Sequence, residues 1–341
     1  MERRCLYFTG PGQVSLRQET LADPGRGQVL VETAISAISP GTELLVYRGE
    51  FPAGLALDES LPTLAGAFAY PLRYGYAAAG RVTGLGEGVG REWLGRAVFA
   101  FQPHASHFVC PPEQLLPVPD GLPLEQAVFL ANMETAVNFL LDGAPLIGEQ
   151  VAVLGQGVVG LLTTALLART PLASLVTLDH HLLRRRASLE WGATACLDPS
   201  DPQVLEAALV ALVSDRPYRG ADLVYELSGN PAALDLAIAL CGFHGRVVIG
   251  SWYGSKRASL DLGGRFHRDR IRLVSSQVSN IGPQLSGRWD RARRFQLAWE
   301  MIGQVQPARL ITHRFPVEQA AEAYWLLDQT PGEAIQVVLA Y

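Results

Sequence analysis

The residues with the most specific chemical spacing are Gly155, Gly157 and Gly160, which form G-x-G-x-x-G within Val151-Ala-Val-Leu-Gly155-Gln-Gly157-Val-Val-Gly160. An apolar strand-like run precedes them and an apolar helix-like run follows. Gly155 permits a tight turn, Gly157 lets backbone approach a pyrophosphate, and Gly160 lets helix pack on strand. The N–H groups at the helix start, around Val158 and Val159, suit phosphate oxygens. A second apolar run, Leu175 to Leu178, ends in Asp179. That acid lies about twenty residues beyond Gly160, the spacing of a carboxylate that bonds the adenosine ribose. It would repel a 2′-phosphate, so the pattern points to NAD, with NADP less favoured. His180, His181 and Arg184 to Arg186 follow directly. Arg184 is the candidate phosphate contact among them, although a solvated helix face is the plainer reading of the run.

Other reactive side chains are sparse. His104, His107 and Cys110 recur at intervals of three, but the segment reads as a strand, and residues three apart on a strand face opposite sides. No metal site is expected there. His104, beside Pro103 at a strand edge, is expected to face a cleft, where an imidazole could exchange protons with solvent. Cys5, Cys110, Cys196 and Cys241 form no C-x-x-C pair, which suggests reduced thiols and a cytoplasmic setting. Lys256 is the only lysine, so lysine-centred covalent catalysis is disfavoured.

Two kinds of text must position these groups. From Leu6 to about Asp120 the apolar runs are short and broken by Pro, Gly and charge, the pattern of an irregular β domain. Glu125 to Leu141 then reads as a helix. Strands are expected at Gln150–Leu154, Leu175–Leu178, Leu223–Glu226 and Arg246–Ile249, near-continuous apolar runs that fit parallel strands covered on both faces. A helix over Arg288–Ile302, a strand over Leu310–Phe315, a helix over Val317–Leu327 and a strand over Ala334–Leu339 close the chain. The fold class is therefore α/β, a β domain joined to a doubly wound parallel sheet. The uncharged stretch Val151–Ala168 is explained by strand, turn and buried helix, not by a membrane span.

Composition narrows the function. The 341 residues are 48% hydrophobic and 18% charged, with a net charge of −5. Such a chain builds a large core. It offers no general field for nucleic acid or anionic membranes, and the expected partner is a small molecule.

The chain resembles the medium-chain dehydrogenase/reductase family along essentially its whole length. The matching stretches are Ser39-Pro-Gly-Thr-Glu43, Tyr74-Gly-Tyr-Ala-Ala-Ala-Gly80, Gly155 to Gly160, Glu226-Leu-Ser-Gly229 and Gly245 to Gly250. The resemblance implies a GroES-like catalytic domain (1–140 and 285–341), a Rossmann domain (141–284) and homodimers. Where zinc members carry their three ligands, this chain has Pro40, Tyr76 and Ala131, and no cysteine cluster matches the structural zinc lobe. A zinc-independent enzyme is expected, with Tyr76 polarising the substrate oxygen, Thr42 in the proton-relay position and His104 as a third catalytic candidate. Ser228, Gly229, Ser251 and Trp252, at the carboxyl rim of the sheet, are expected to touch the cofactor. Looser phrases such as Arg73-Tyr-Gly-Tyr76 and Asn132-Met-Glu-Thr resemble a zinc-less branch containing bacteriochlorophyllide dehydrogenases and chains like threonine or sorbitol dehydrogenases. The implied reaction is hydride transfer between NAD(H) and a secondary alcohol or ketone. Reduction of an activated C=C bond, and dinucleotide binding without turnover, are the alternatives.

Overall fold

The computed structural model describes residues 1–52, 54–57, 61–64, 66–212 and 220–341. In chain order the first strands and helices are β1 (Glu2–Gly10), β2 (Gln13–Thr20), β3 (Val29–Ala37), α1 (Pro40–Arg48), β4 (Ala78–Leu85), β5 (Ala97–Ala100), β6 (His107–Cys110), β7 (Leu115–Pro117) and α2 (Leu124–Ala127). There follow α3 (Leu130–Gly143), β8 (Gln150–Leu154), α4 (Val158–Leu167), β9 (Ser174–Leu178), α5 (Leu182–Glu190), β10 (Ala195–Leu197), α6 (Val204–Ala211), β11 (Ala221–Glu226), α7 (Ala233–Leu240), β12 (Cys241–Ile249) and β13 (Arg272–Ser275). The chain ends with α8 (Arg291–Val305), β14 (Ile311–Pro316), α9 (Ala320–Gln329) and β15 (Gln336–Ala340). The chain divides into one unit of Met1–Ala131 with Ile302–Tyr341 and another of Asn132–Met301. The family resemblance implied boundaries at 140 and 285.

The first unit holds a sheet in the order β14-β15-β3-β4-β5-β7, with β6 also on β3, beside the β1–β2 hairpin. β15 pairs antiparallel with β3, so the last residues of the chain complete a sheet begun by the first. Phe8, Ile38, Tyr74, Tyr324 and Val337 meet in one core. Alternation along β3 buries Val29 and Val31 and leaves Glu32 outside, the period-two signature of a strand with one dry face.

In the second unit six parallel strands run in the order β10-β9-β8-β11-β12-β13. Ala152 and Leu154 of β8 join the core on one face, and Val151 and Val153 the core on the other. Both faces are dry, which is why the run is apolar without interruption. Strand order reverses between β8 and β11, and the carboxyl ends of these two strands form the crevice where sheets of this kind take ligands. On α3, Glu134 accepts from Arg294 of α8 at 2.7 Å, and Asn138 Oδ1 accepts from the same guanidinium at 2.6 Å. Arg294 is 1% exposed. Glu134 therefore ties two helices together.

Two expectations need correction. The helix expected over Glu125–Leu141 is two helices, because the chain breaks between Ala127 and Leu130. The strand expected over His104–Cys110 begins only at His107. His104 precedes it, with its backbone N–H on Tyr74 O and its carbonyl accepting from Leu6 N–H.

Candidate active site

Two polar clusters, one in each unit, contain the side chains singled out above. In the second unit, Gly155 follows β8 with φ +91°, a conformation that L side chains rarely adopt. A Cβ at Gly160 would lie 2.0 Å from Gly155 O, whereas one at Gly157 would meet nothing within 4 Å. Gly160 is thus demanded by the protein's own backbone, and Gly157 leaves clear space above the turn. Gly157 caps α4, so Val158 and Val159 are its first residues. Gln156, wholly buried, braces the turn by donating to Gly155 O and accepting from Thr164.

Asp179, at the end of β9, is 7% exposed. Its Oδ2 accepts Gln156 N–H at 2.7 Å and its Oδ1 accepts His181 N–H at 2.8 Å. The glycine turn and the acid are therefore locked to one another, and each oxygen keeps a lone pair for a ribose hydroxyl. The basic run behind Asp179 is more than a solvated face. Arg185 donates to Asp179 O, His180 O and Asp198 Oδ2. Arg184 is half-buried, and burial pulls its pKa below the ordinary value against the opposing pull of Asp179.

Beyond β11, the buried carboxyl of Glu226 accepts from Ser228 N–H at 2.8 Å, from the Ser228 hydroxyl and from the Tyr253 hydroxyl. Burial first, and then this bond, push the Tyr253 phenol far above its ordinary pKa, so it stays a neutral donor. Ser251 Oγ accepts Gly229 N–H at 2.9 Å. Trp252 is 40% exposed. The sequence reading quoted Glu226 only as part of a motif and missed that it orders this rim.

In the first unit, Tyr76 OH donates to Ser39 Oγ at 2.5 Å and lies 3.4 Å from Thr42 Oγ1. All three residues are partly exposed. Ser39 is the N-cap of α1, its side chain makes no capping bond, and the helix starts at Pro40, not near Glu43. Thr42 is therefore not a cap, and both hydroxyls are left for Tyr76. Ser39 was missed, although it opens the quoted motif.

Below them lies a dry network. Glu43 Oε1 accepts Ser39 N–H at 2.8 Å, and Oε2 accepts from the Tyr324 hydroxyl and pairs with His104 Nε2 at 3.0 Å. His104 Nδ1 reaches Ser36 Oγ at 2.7 Å, which in turn meets Tyr341 OH at 3.0 Å. Burial and the adjacent Glu43 hold the Tyr324 phenol well above its ordinary pKa. Glu43 and His104 are both 0% exposed. The expectation that His104 faces a cleft is thus overturned. A Cβ on Gly75 would come within 2.6 Å of its ring, so the imidazole is packed under the Tyr74–Tyr76 segment with no exposed surface.

The zinc question can be put to these donors. The Pro40 side chain has no donor atom, Ala131 has a methyl group, and Tyr76 offers a phenol oxygen where a soft or borderline ligand would be needed. Glu43 and His104 have their nitrogen and oxygen atoms committed to each other and to Tyr324, Ser36 and Ser39. No group of three or more His, Cys, Asp or Glu residues able to hold a metal gathers among the described residues. The donor set does not fit the tetrahedral site of a zinc dehydrogenase.

A family model described as zinc-binding dehydrogenase matches residues 158–296. The chain is 24% identical over 357 residues to L-threonine 3-dehydrogenase of Stenotrophomonas maltophilia, with 96% of each chain covered. Among solved structures it is similar to an alcohol dehydrogenase of Escherichia coli complexed with NADH (TM-score 0.79, 18% identity, 100% and 99% covered). It is equally similar to a zinc-binding dehydrogenase of Sinorhizobium meliloti bound to NADP (TM-score 0.79, 21% identity, both chains fully covered). No helix among the described residues is long and apolar enough to cross a membrane. With its parallel sheet and its glycine turn, the chain has the fold of these dehydrogenase structures, and residues 158–296 carry the match to the zinc-binding dehydrogenase model.

Proposed function

We propose that this chain transfers a hydride between NAD(H) and a secondary alcohol or ketone of a small to medium organic molecule, using hydroxyl groups where zinc relatives use a metal. The single observation that carries the reading is the Tyr76–Ser39–Thr42 cluster, three hydroxyls gathered around Tyr76, the residue that the resemblance puts at a metal-ligand position. The hydride itself is the nicotinamide's chemistry. The chain's task is to hold the substrate oxygen and to move one proton.

In the reductive direction Tyr76 donates its phenolic proton to the oxygen that gains negative charge, and the Ser39 and Thr42 hydroxyls relay to it a replacement proton taken from solvent, to which all three residues are partly open. In the oxidative direction the same atoms run in reverse. A hydrogen bond to a developing alkoxide is about twice as strong as a neutral one. Glu43 and His104 act as positioning residues, since Glu43 fixes the Ser39 backbone and His104 fixes Glu43. The threonine 3-dehydrogenase name of the relatives fits a secondary alcohol. Asp179 supports NAD over NADP, and Pro40 and Ala131 support a place in the zinc-less branch. Gly155, Gly157, Val158, Val159 and Gly160 would hold the pyrophosphate, with Ser228, Gly229, Ser251 and Trp252 along the nicotinamide side.

The test is to incubate purified protein with NADH or NADPH against panels of ketones and activated enones, before and after exhaustive chelation. Ketone reduction that prefers NADH and survives chelation is the expected result. Turnover of enones alone, or activity restored only by a divalent ion, would overturn the reading.

A further inference from the structure

A hollow of about 240 Å³ lies within the first unit, away from the hydroxyl cluster in its lining residues. Arg3, Arg73, Gln102 and Gln114 supply its polar lining, and Phe108 and Val109 an apolar wall. The charges do not balance. Arg3 donates to Glu19 Oε2 at 2.8 Å, and Tyr7 OH donates to Oε1 of the same carboxylate at 2.5 Å. Arg73 stays 3.8 Å from Glu19 and 4.0 Å from the Cys5 sulfur. Burial alone would raise Glu19, but the bonds from Tyr7 and Arg3 outweigh it and hold the carboxyl below its ordinary pKa. Glu19 is thus one negative charge, already well served, between two guanidinium groups.

Arg73 consequently lines the hollow with a fork of N–H donors, none of which is within hydrogen-bond distance of an oxygen among the described residues. The side-chain amides of Gln102 and Gln114 likewise have no hydrogen-bond partner among the described residues. Such a fork fits the two oxygens of a carboxylate or phosphate. The volume lies below the usual range for drug-sized ligands, and the apolar wall would cover a short carbon stem.

We infer that this hollow binds a small organic oxyanion, with the acid group on Arg73 and the two glutamines and the stem against Phe108 and Val109. The inference does not depend on the hydride-transfer reading, because none of these residues belongs to either polar cluster.

Calorimetric titration of the full chain at low ionic strength, with butyrate and separately with inorganic phosphate, tests it. Saturable binding of at least one is expected. Butyrate binding more tightly would identify a carboxylate with a stem, and phosphate binding more tightly would identify a phosphate group. Arg73→Gln should weaken binding about tenfold or more, the loss of one charge-assisted bond. Gln102→Glu should weaken it comparably by adding a like charge, and it decides the matter if Arg73→Gln fails to fold. Arg268→Gln, an exposed arginine of the second unit, should bind as the parent does. Absence of saturable binding to both probes, or binding that neither hollow variant weakens, would overturn the inference.

Discussion

The glycine turn of the second unit and the hydroxyl cluster of the first reach order by opposite means. Around Gly155 the backbone does the positioning: Asp179 holds the Gln156 amide, and Gly160 exists because Gly155 O is 2.0 Å from where its Cβ would be. Around Tyr76 side chains do it, passing order from Tyr341 and Ser36 through His104 and Glu43 to Ser39. A backbone device tolerates few residue types at its fixed points. A side-chain device can be assembled from many segments, and its parts can be exchanged singly.

That contrast makes Tyr76→Phe the most damaging conservative change to activity. It removes one oxygen, keeps the ring packed beside Tyr74, and should lower kcat by roughly 10²- to 10⁴-fold, the range for a lost proton donor. NADH affinity, read by fluorescence titration, should stay at the parent value because the turn lies in the other unit. Loss of affinity and turnover together would erase the distinction between the two devices.

The glycines sharpen the comparison next. Gly160→Ala puts a methyl group into backbone that cannot yield cheaply, and overpacking of this kind costs about 1–3 kcal/mol. Both the melting temperature and NADH binding should fall. Gly157→Ala meets only open space, so stability should hold while NADH binding weakens, about tenfold for a methyl group set against the pyrophosphate. Equal stability losses at the two positions would show that the turn is not built as described.

The same contrast explains what could be read from the sequence. The turn was legible because its geometry restricts residue choice, and β8 was expected at Gln150–Leu154, where it lies, because burial on both faces leaves an unbroken apolar run. Tyr76 and Thr42 were reached only through a resemblance, by noticing what replaced metal ligands. Ser39 and Glu43 lie one helical turn apart, but the buried partners that give Glu43 its role, His104 and Tyr324, come from distant segments and reach it only when the chain folds. His104 was misplaced for a related reason. Its neighbours read as strand, and nothing local says that Glu43 waits beneath it. The break in the helix expected over Glu125–Leu141 has no proline or glycine to announce it.

A double-mutant cycle probes the side-chain device directly. Glu43→Gln should reduce kcat more than it raises KM, because an amide has one acceptor oxygen for the Ser39 N–H and the Tyr324 hydroxyl, which the carboxylate takes on separate oxygens, so Ser39 is held less firmly while the exposed surface is unchanged. If Glu43 acts through Ser39, the two changes are not additive: Glu43→Gln should cost much less in a Ser39→Ala background, with a coupling of about 0.5–3 kcal/mol from the four rate constants. Glu43→Asp, which keeps the acid, should recover part of the rate. Additive losses would make Glu43 merely structural.

The smallest expected effect lies in the second unit, where one side-chain clamp does resemble the first unit's network. Arg246 of β12 grips Glu149 with two bonds, at 2.8 and 2.7 Å, and also donates to Gly143 O and Ala144 O. Burial pushes the Glu149 carboxyl up, but the Arg246 bonds and the Leu146 N–H outweigh it, so its folded pKa lies below the ordinary value. A lowered carboxylate pKa contributes stability that is fully present above the unfolded value and is lost as pH falls through the folded one. Glu149→Gln should therefore cost about 1 kcal/mol near neutral pH, the modest worth of a pair that is still partly solvated. The deficit should shrink as the medium is acidified through the lowered pKa. Ser39→Ala, which removes a hydroxyl that does not titrate, should show no such convergence with the parent in acid. Melting curves of the three proteins across that range compare a clamp that depends on ionisation with a contact that does not, and parallel curves for parent and Glu149→Gln would show that the clamp stores no charge-dependent stability.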